Sequence, residues 1–474
     1  MAESLPSLTE PEISLEESPK LRSDSVADLV AWLRAHGVEE IECHTPDMAG
    51  IARGKLMPAA KWMKSQAIRL PISVYFTAIT GDYANIAAAE SAQLGYLRDA
   101  DLNLVPDLKT ARALPWTDVP SIQIIHDAMD ADNKPLPFAP RSVLRRVLQA
   151  YDDKGWQPIV APELEFYLTE PNRDPDLPLE PPVGRSGRTQ VSNQAYSMQG
   201  VDEYENVITH LYDFAEAQDI EIDTIIQEFG TGQLEVNLLH GDAMAKADEI
   251  FLFKRTVREA ALRCGAYATF MAKPMRGQPG NAMHIHQSLI DKKSGANLFS
   301  DANGEMSPLF YHFIAGQQAY SYAAACIWAP YVNSYRRLVP DMSAPINAEW
   351  GHDNRSVGLR VPRSEPENRR VENRFIGADT NPYLSIAAAL AAGYLGMIEA
   401  QEPRPPLEGS SFEKGRDLPY SLLEGIAALE QCEPLRQLLG SQFVDIYAAI
   451  KYAEYDAFMD VISPWEREHL LLNV

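Results

Sequence analysis

The stretch Met271–Leu289, MAKPMRGQPGNAMHIHQSL, places the tightest constraint on how this chain folds. It joins a glycine-bracketed loop, Gly277-Gln278-Pro279-Gly280-Asn281, to the triplet His284-Ile285-His286. On a strand, residues i and i+2 point to the same face, so both imidazoles leave the sheet together. A loop rich in backbone N–H groups beside two imidazoles is a place where an anion and a metal can meet. Alone, a His-X-His strand suits a solvated surface equally well. The matching carboxylates elsewhere in the chain give it direction.

The first of these lie in Pro162-Glu163-Leu164-Glu165-Phe166-Tyr167, where Glu163 and Glu165 share one strand face and Leu164 and Phe166 point into a core. Two like charges on one buried face need a cation near them; a solvent-facing edge is the alternative. The second pair, Glu228 and Glu235, flanks a turn marked by Gly230 and Gly232, which can set the two carboxylates opposite each other or form a polar surface hairpin. The third cluster is Arg336, Arg337, Arg355, Arg360, Arg363, Arg369, Arg370 and Arg374, with Glu372 among them. Arginine forks recognise phosphate and carboxylate by paired hydrogen bonds, although salt bridges to an acidic protein would explain part of the set. Five glutamates, two histidines, a glycine-rich loop and many arginines suit divalent cations holding a polyphosphate against an anionic acceptor. Neither a Walker loop nor a kinase signature is present in the sequence.

Size and charge narrow the class. At 474 residues the chain exceeds one compact core, and a net charge of -24 argues against nucleic acid as a partner. The four cysteines are scattered without a CxxC pair and read as reduced thiols of a cytoplasmic protein. Residues 1–25, with six acidic and two basic side chains, carry no targeting signal and read as a disordered acidic tail. The apolar runs Ala319–Val332 and Leu384–Ile398 are too short to span a membrane and are expected as buried helices.

Along the chain, helical periodicity covers Ser25–His36, and strands are expected at Val38–His44 and Ser121–His126. Three prolines in Ala131–Arg141 mark a linker, which places a domain boundary near residue 135 and divides the chain into 26–135 and 136–474. Beyond it, helices are expected at Arg141–Lys154, Asp202–Gln218 and Met244–Cys264. Strands are expected at Pro158–Leu168, Gln233–Leu239, Thr269–Lys273 and Met283–Leu289.

Six phrases in order, PELEFYL, EFGTGQLEV, GNAMHIHQS, VNSYRRLVP, NRSVGLRVP and VENRFIGADTNPYL, resemble the glutamine synthetase superfamily across nearly the whole chain. That resemblance implies an α+β fold: a small N-terminal β-grasp domain and a large catalytic domain with a curved antiparallel sheet. It also implies a homo-oligomer, a dodecamer of two stacked hexameric rings. Position by position, it makes Glu165, Glu228 and Glu235 ligands of one divalent metal, Mg²⁺ or Mn²⁺, and Glu163, His284 and Glu372 ligands of a second. His286, Ser288, Arg355 and Arg370 match ATP contacts, Gly280, Arg337, Arg360 and Arg374 match glutamate contacts, and Arg337, Arg355 and Arg374 match catalytic arginines. The implied chemistry is attack of a glutamate γ-carboxylate on ATP, then displacement of phosphate by an amine.

Three departures bear on the amine. Where ammonia-using members carry a flap glutamate, this chain has Ser343, and where they carry an Asp-Gly-Ser-Ser turn it has Tyr75–Thr80, with no carboxylate until Asp82. The usual Asn-Gly-Ser-Gly loop is replaced by Pro279-Gly280-Asn281-Ala282, in a phrase similar to that of the γ-glutamylpolyamine synthetases. The reading is therefore an ATP-dependent ligase of glutamate and a polyamine such as putrescine or spermidine. Its rivals are an ammonia-using glutamine synthetase in which Asp341 or Asp82 substitutes, a γ-glutamyl ligase for a monoamine such as ethanolamine, and a silent homologue. All six implied metal ligands stand against the last.

Overall fold

The computed structural model describes residues 21, 25–84, 99–340 and 343–474. The expected acidic tail lies outside the described residues apart from Leu21 and Ser25, and so does Asp341.

The N-terminal part opens with helix α1 (Val26–Ala35), started by Ser25, whose hydroxyl accepts the Asp28 N–H at 3.1 Å. Leu29 and Leu33, four residues apart, bury one helical face. Strands β1 (Glu40–Pro46), β2 (Ala52–Pro58), β3 (Ile68–Pro71), β4 (Asp101–Pro106), β5 (Arg112–Ala113) and β6 (Ser121–Met129) follow. They form a sheet of order β2-β1-β6-β4-β3, with β5 on β6, in which β1 and β6 run parallel and the other pairs antiparallel.

The C-terminal part is built on strands β7 (Trp156–Thr169), β8 (Ile222–Gln227), β9 (Gln233–Leu238), β10 (Gly241–Asp242), β11 (Tyr267–Thr269), β12 (Met283–Asp291), β13 (Trp350–His352), β14 (Leu359–Val361) and β15 (Val371–Asn373). Their order is β13-β14-β15-β12-β7-β9-β8, with β10 and β11 also on β7. The pairs are antiparallel as expected except one: β13 and β14 are parallel.

Helices α2 (Pro140–Asp152), α3 (Ala243–Arg263), α4 (Pro308–Trp328) and α5 (Pro382–Ile398) carry the apolar bulk. The Ala-rich run Leu384–Ile398 falls in α5, the run Ala319–Val332 is helical in α4 only as far as Trp328, and no described helix is long and apolar enough to cross a membrane. Glycine lets α4 and α5 touch: a Cβ on Gly316 would lie 2.2 Å from the Ala392 carbonyl oxygen and 2.7 Å from the Gly396 Cα.

Two further expectations are corrected. The strand drawn over Thr269–Lys273 is only Tyr267–Thr269, because Asn281 Nδ2 donates to the Thr269 and Met271 carbonyls at 3.3 and 2.9 Å and takes the groups a longer ladder would use. The helix drawn over Asp202–Gln218 is two, Met198–Asp202 and Glu205–Ala217, interrupted where Tyr204 turns into the core. The proline-rich linker is anchored: the Asp130 carboxylate accepts the N–H groups of Asp132 and Lys134 at 2.8 and 2.9 Å. Arg141, at its end, is buried and ties Asp107 (2.8 Å) and Asp127 (2.6 Å) of the N-terminal part to Asp248 of α3 (2.9 Å). Removing one partner of such a network leaves a buried charge uncompensated.

Candidate active site

Strand register assembles the site. Along β7, Leu164 and Phe166 are fully buried in the core while Glu163 and Glu165 take the other face. Antiparallel pairing sets His284 of β12 opposite Glu163, Glu235 of β9 opposite Glu165, and Glu372 of β15 opposite His286. Residues so paired have Cβ atoms about 4.5–5.5 Å apart, so one-residue register errors would dismantle the cluster. Glu228 arrives just past the end of β8, on the turn through Gly230 and Gly232, where its N–H donates to the Gln233 carbonyl at 2.9 Å.

Three groups result, each with ligand atoms within 4.8 Å of one another: Glu165, Glu228 and Glu235; Glu163, Glu235 and His284; and Glu163, His286 and Glu372. His284 Nδ1 lies 3.1 Å from Glu163 Oε2 and 3.6 Å from Glu372 Oε1, and His286 Nε2 lies 2.8 Å from Glu163 Oε1. The sequence expectation set His284 with Glu163 and Glu372, and His286 with ATP. Here both imidazoles reach Glu163, and His286 is as well placed to ligate as His284.

The charges divide the face in two. Burial and then the Glu228 carboxylate push the Glu165 carboxyl up to about 8. Burial and the surrounding carboxylates push Glu235 well up, and burial raises Glu228. Three carboxylates this close, Glu165 and Glu235 buried and Glu228 half-buried, cannot all ionise without a cation between them, and their all-oxygen donor set fits a hard divalent ion. On the other side, hydrogen bonds from His284 and His286 outweigh burial and hold the Glu163 carboxyl well below its ordinary range. Burial and Arg374 lower the His284 imidazole to about 4, which leaves it neutral, the form that binds a metal.

Arginines border this side. Glu372, fully buried, accepts from Arg360 Nη1 at 2.8 Å and from Arg374 Nη1, and Burial is outweighed by Arg374 and His284, which bring its carboxyl to about 2. Arg360 also reaches Asp353 at 2.6 Å. The Nε groups of Arg360 and Arg374 are shielded from solvent and have no partner among the described residues. Arg337 is turned inward: its guanidinium donates to the carbonyls of Phe375 and Arg374, both at 2.8 Å, and so braces the backbone that carries Arg374. Arg355 stays exposed, within electrostatic reach of Glu228.

Arg370 Nε donates to His286 Nδ1 at 3.3 Å, and Ser288 Oγ donates to the Arg369 carbonyl at 3.0 Å. Together with Glu163 they border a cleft of about 570 Å³.

The glycine loop is held by side chains that sequence reasoning missed. Tyr167 Oη donates to the Pro279 carbonyl at 2.9 Å, and Gln233 Nε2 donates to the Gly280 carbonyl at 3.0 Å and to Asn281 Oδ1 at 2.9 Å. Asn281 is fully buried and its amide serves the Thr269 and Met271 carbonyls, so it does not face a substrate. A Cβ at Gly280 would lie 2.5 Å from the Ala272 carbonyl oxygen and 2.6 Å from Arg337 Cγ, which is why glycine stands there. The loop ends with the Ala282 N–H donating to Glu165 Oε2 at 2.7 Å, joining it directly to the carboxylates. Gln233 could have been found: it lies two residues before Glu235 on β9, on the same face.

The residues that bear on the amine make only local contacts among those described. Ser343 is exposed with φ +63°, and Ala78 is buried in a turn closed by its N–H to the Asp82 carbonyl at 2.8 Å. The Asp82 carboxylate accepts from Thr80 Oγ1 at 2.9 Å.

A model of the glutamine synthetase catalytic domain matches residues 137–470. The chain belongs to the glutamine synthetase family. Family membership makes it a carbon–nitrogen ligase, and the family uses ATP and a divalent metal. Over 436 residues, 90% of this chain and 90% of the relative, it is 36% identical to the gamma-glutamylputrescine synthetase PuuA of Escherichia coli (strain K12). It is 29% identical to the glutamate–isopropylamine ligase of a Pseudomonas species, over 92% of this chain and 95% of the relative. Among solved structures, ligand-free GmaS superposes with a TM-score of 0.78 at 28% identity, covering 94% of this chain and all of that one (100%). The glutamine synthetase-like α+β fold is thus shared by a chain that diverges at most positions.

Proposed function

We propose that this ligase joins the γ-carboxylate of glutamate to an alkylamine, a polyamine such as putrescine being the first choice, with ATP converted to ADP and phosphate through a γ-glutamyl phosphate. The carrying observation is the buried glutamate–histidine face, whose donor atoms gather within 4.8 Å beside arginines with unpartnered Nε groups. Glu165, Glu228 and Glu235 would hold one Mg²⁺ or Mn²⁺, and Glu163 with His284, His286 and Glu372 a second. Bound there, the ions neutralise phosphate charge and align the transferring group.

The protein's own groups do the rest. Arg374 and Arg360, fixed by Glu372, would stabilise the negative charge that develops on the transferring group, since preorganised donors of this kind favour the transition state. Arg337 keeps Arg374 in place, and the loop through Gly280 fixes the Ala282 N–H on Glu165, so glutamate would sit against that loop. The cleft beside His286, Ser288 and Arg370 suits ATP. Ser343 leaves the flap without the carboxylate that a small ammonium ion would need, which supports a larger amine. The polyamine preference is drawn from the likeness to PuuA. A cytoplasmic setting, a dodecamer of stacked hexameric rings and a division of the chain near residue 135 belong to the same reading.

Substituting Ser343→Glu tests the amine assignment. Product formation from putrescine should fall about tenfold or more while ammonia use rises, because a carboxylate would then close the amine site around a small cation. Unchanged putrescine kinetics would place the amine elsewhere.

A further inference from the structure

A second cleft, about 820 Å³ in volume, lies between the N-terminal sheet and helix α3, and none of the clustered glutamates or histidines lines it. Its charged lining is mostly basic, with Lys55, Lys254, Arg255 and Arg258 against Glu42 and Asp379. Arg255 is spent on Glu42, in a forked contact whose longer arm is 3.1 Å. Lys254 and Arg258 are not so occupied. They stand four residues apart on α3 and converge on one ring, with Lys254 Nζ 5.6 Å and Arg258 Cζ 5.2 Å from the centroid of Phe270. Like charges at this spacing repel.

Neither cation forms an ion pair among the described residues. Lys254, only 8% exposed, donates to a single acceptor, the Thr380 carbonyl, at 2.7 Å. Asp379 lies within electrostatic reach, but one of its oxygens accepts from Ser334 at 2.5 Å and the other has no partner. Burial and Arg258 push the Lys254 amine down to about 7. Lys254 is buried while Arg258 reaches solvent, so keeping the Lys254 amine charged beside that guanidinium costs free energy, which an anion between the two would offset. Phe251, Leu252 and Phe270 supply apolar wall on the same cleft.

We propose that this cleft is a second ligand site, for a small organic anion whose carboxylate or phosphate sits between Lys254 and Arg258 and whose apolar body lies on Phe270. Its wall leads to the carboxylate face. Thr269 and Met271 line it and give their carbonyls to Asn281, and Asn333 lines it and bonds the Lys273 backbone twice, at 2.9 and 3.0 Å. A ligand here touches the segment that ends at the Ala282 N–H on Glu165, so the site is placed to act as an effector site. The proposal does not depend on which amine the ligase uses.

Calorimetric titration of the full chain with phenyl phosphate, 3-phenylpropionate and the uncharged 3-phenylpropanol tests it. The expected result is saturable binding of one anion per chain by at least one of the two acids, weakened about tenfold or more in Lys254→Met and in Arg258→Met, with no comparable binding of the alcohol. The stronger acid identifies the head group. Unliganded Arg258→Met should unfold at or above the wild-type temperature, since the charge removed has no ion partner. The proposal is overturned if neither acid binds, if both variants bind as wild type does, or if the alcohol binds equally well. It is also overturned if binding appears only when the oligomer is dissociated, which would mean that a second copy covers the cleft.

Discussion

Glu165→Gln should make the metal-free protein more stable and the enzyme inactive. The amide keeps the acceptor for the Ala282 N–H, now at 2.7 Å, and replaces a carboxyl that the buried cluster forces to stay protonated. In the metal-free protein the Glu165 carboxyl is raised from 4.5 to about 8 by burial and Glu228. Below pH 4.5 folded and unfolded chains both hold the proton and nothing is lost. As pH rises further, the unfolded chain ionises while the folded one keeps its proton, so stability falls by about 1.36 kcal/mol per pH unit. At pH 7 the loss is on the order of 3 kcal/mol.

Glutamine avoids that loss, so the variant should gain on the order of 2–3 kcal/mol at pH 7 in chelator and nothing at pH 4. Added Mn²⁺ should stabilise wild type strongly and the variant weakly, reversing their order. Urea unfolding at fixed protein concentration, at both pH values with and without Mn²⁺, reads all of this. A variant less stable than wild type in chelator at pH 7, or one that keeps its Mn²⁺ response and activity, refutes the reasoning.

Glu372→Ala should abolish amine-dependent phosphate release and destabilise the fold by about 3–5 kcal/mol, because Arg360 and Arg374 lose their shared carboxylate; Pi assays and unfolding midpoints check both. Asn281→Ala should raise the KM for glutamate about tenfold or more with less effect on the KM for ATP, since it frees the loop at the Thr269 and Met271 carbonyls; steady-state kinetics with each substrate varied decides it. Lys254, lowered to about 7, holds its proton in the unfolded chain but not the folded one at higher pH. Wild type should therefore gain about 1.4 kcal/mol per pH unit relative to Lys254→Met between pH 7 and 9, read from paired urea titrations.

Much of the site was legible because strand periodicity is a strong signal. Glu163 and Glu165 fall on one face for the same reason that Leu164 and Phe166 fall on the other. His284 and His286 follow the same rule, and what sequence cannot supply is the register that sets them against Glu163 and Glu372. The resemblance supplied that grouping, with His284 and His286 in separate roles that the coordinates do not separate.

Long-range polar contacts were the least visible. Nothing local says that Asn281 will turn inward to Thr269 and Met271, or that Arg337 will brace the Arg374 carbonyl instead of reaching outward. Arg141 looked like the end of a linker and is a buried junction of three aspartates. Strand length failed at Thr269–Lys273 for a similar reason, since a side chain 12 residues away took the carbonyl of Thr269.

The most direct test is phosphate release from ATP and Mg²⁺ with glutamate, across ammonia, putrescine, spermidine, ethanolamine and hydroxylamine. The account predicts release that requires glutamate and is much faster with a diamine than with ammonia. Ammonia performing best would make this an ammonia-using glutamine synthetase, and silence with every amine, hydroxylamine included, would contradict glutamate as the acceptor.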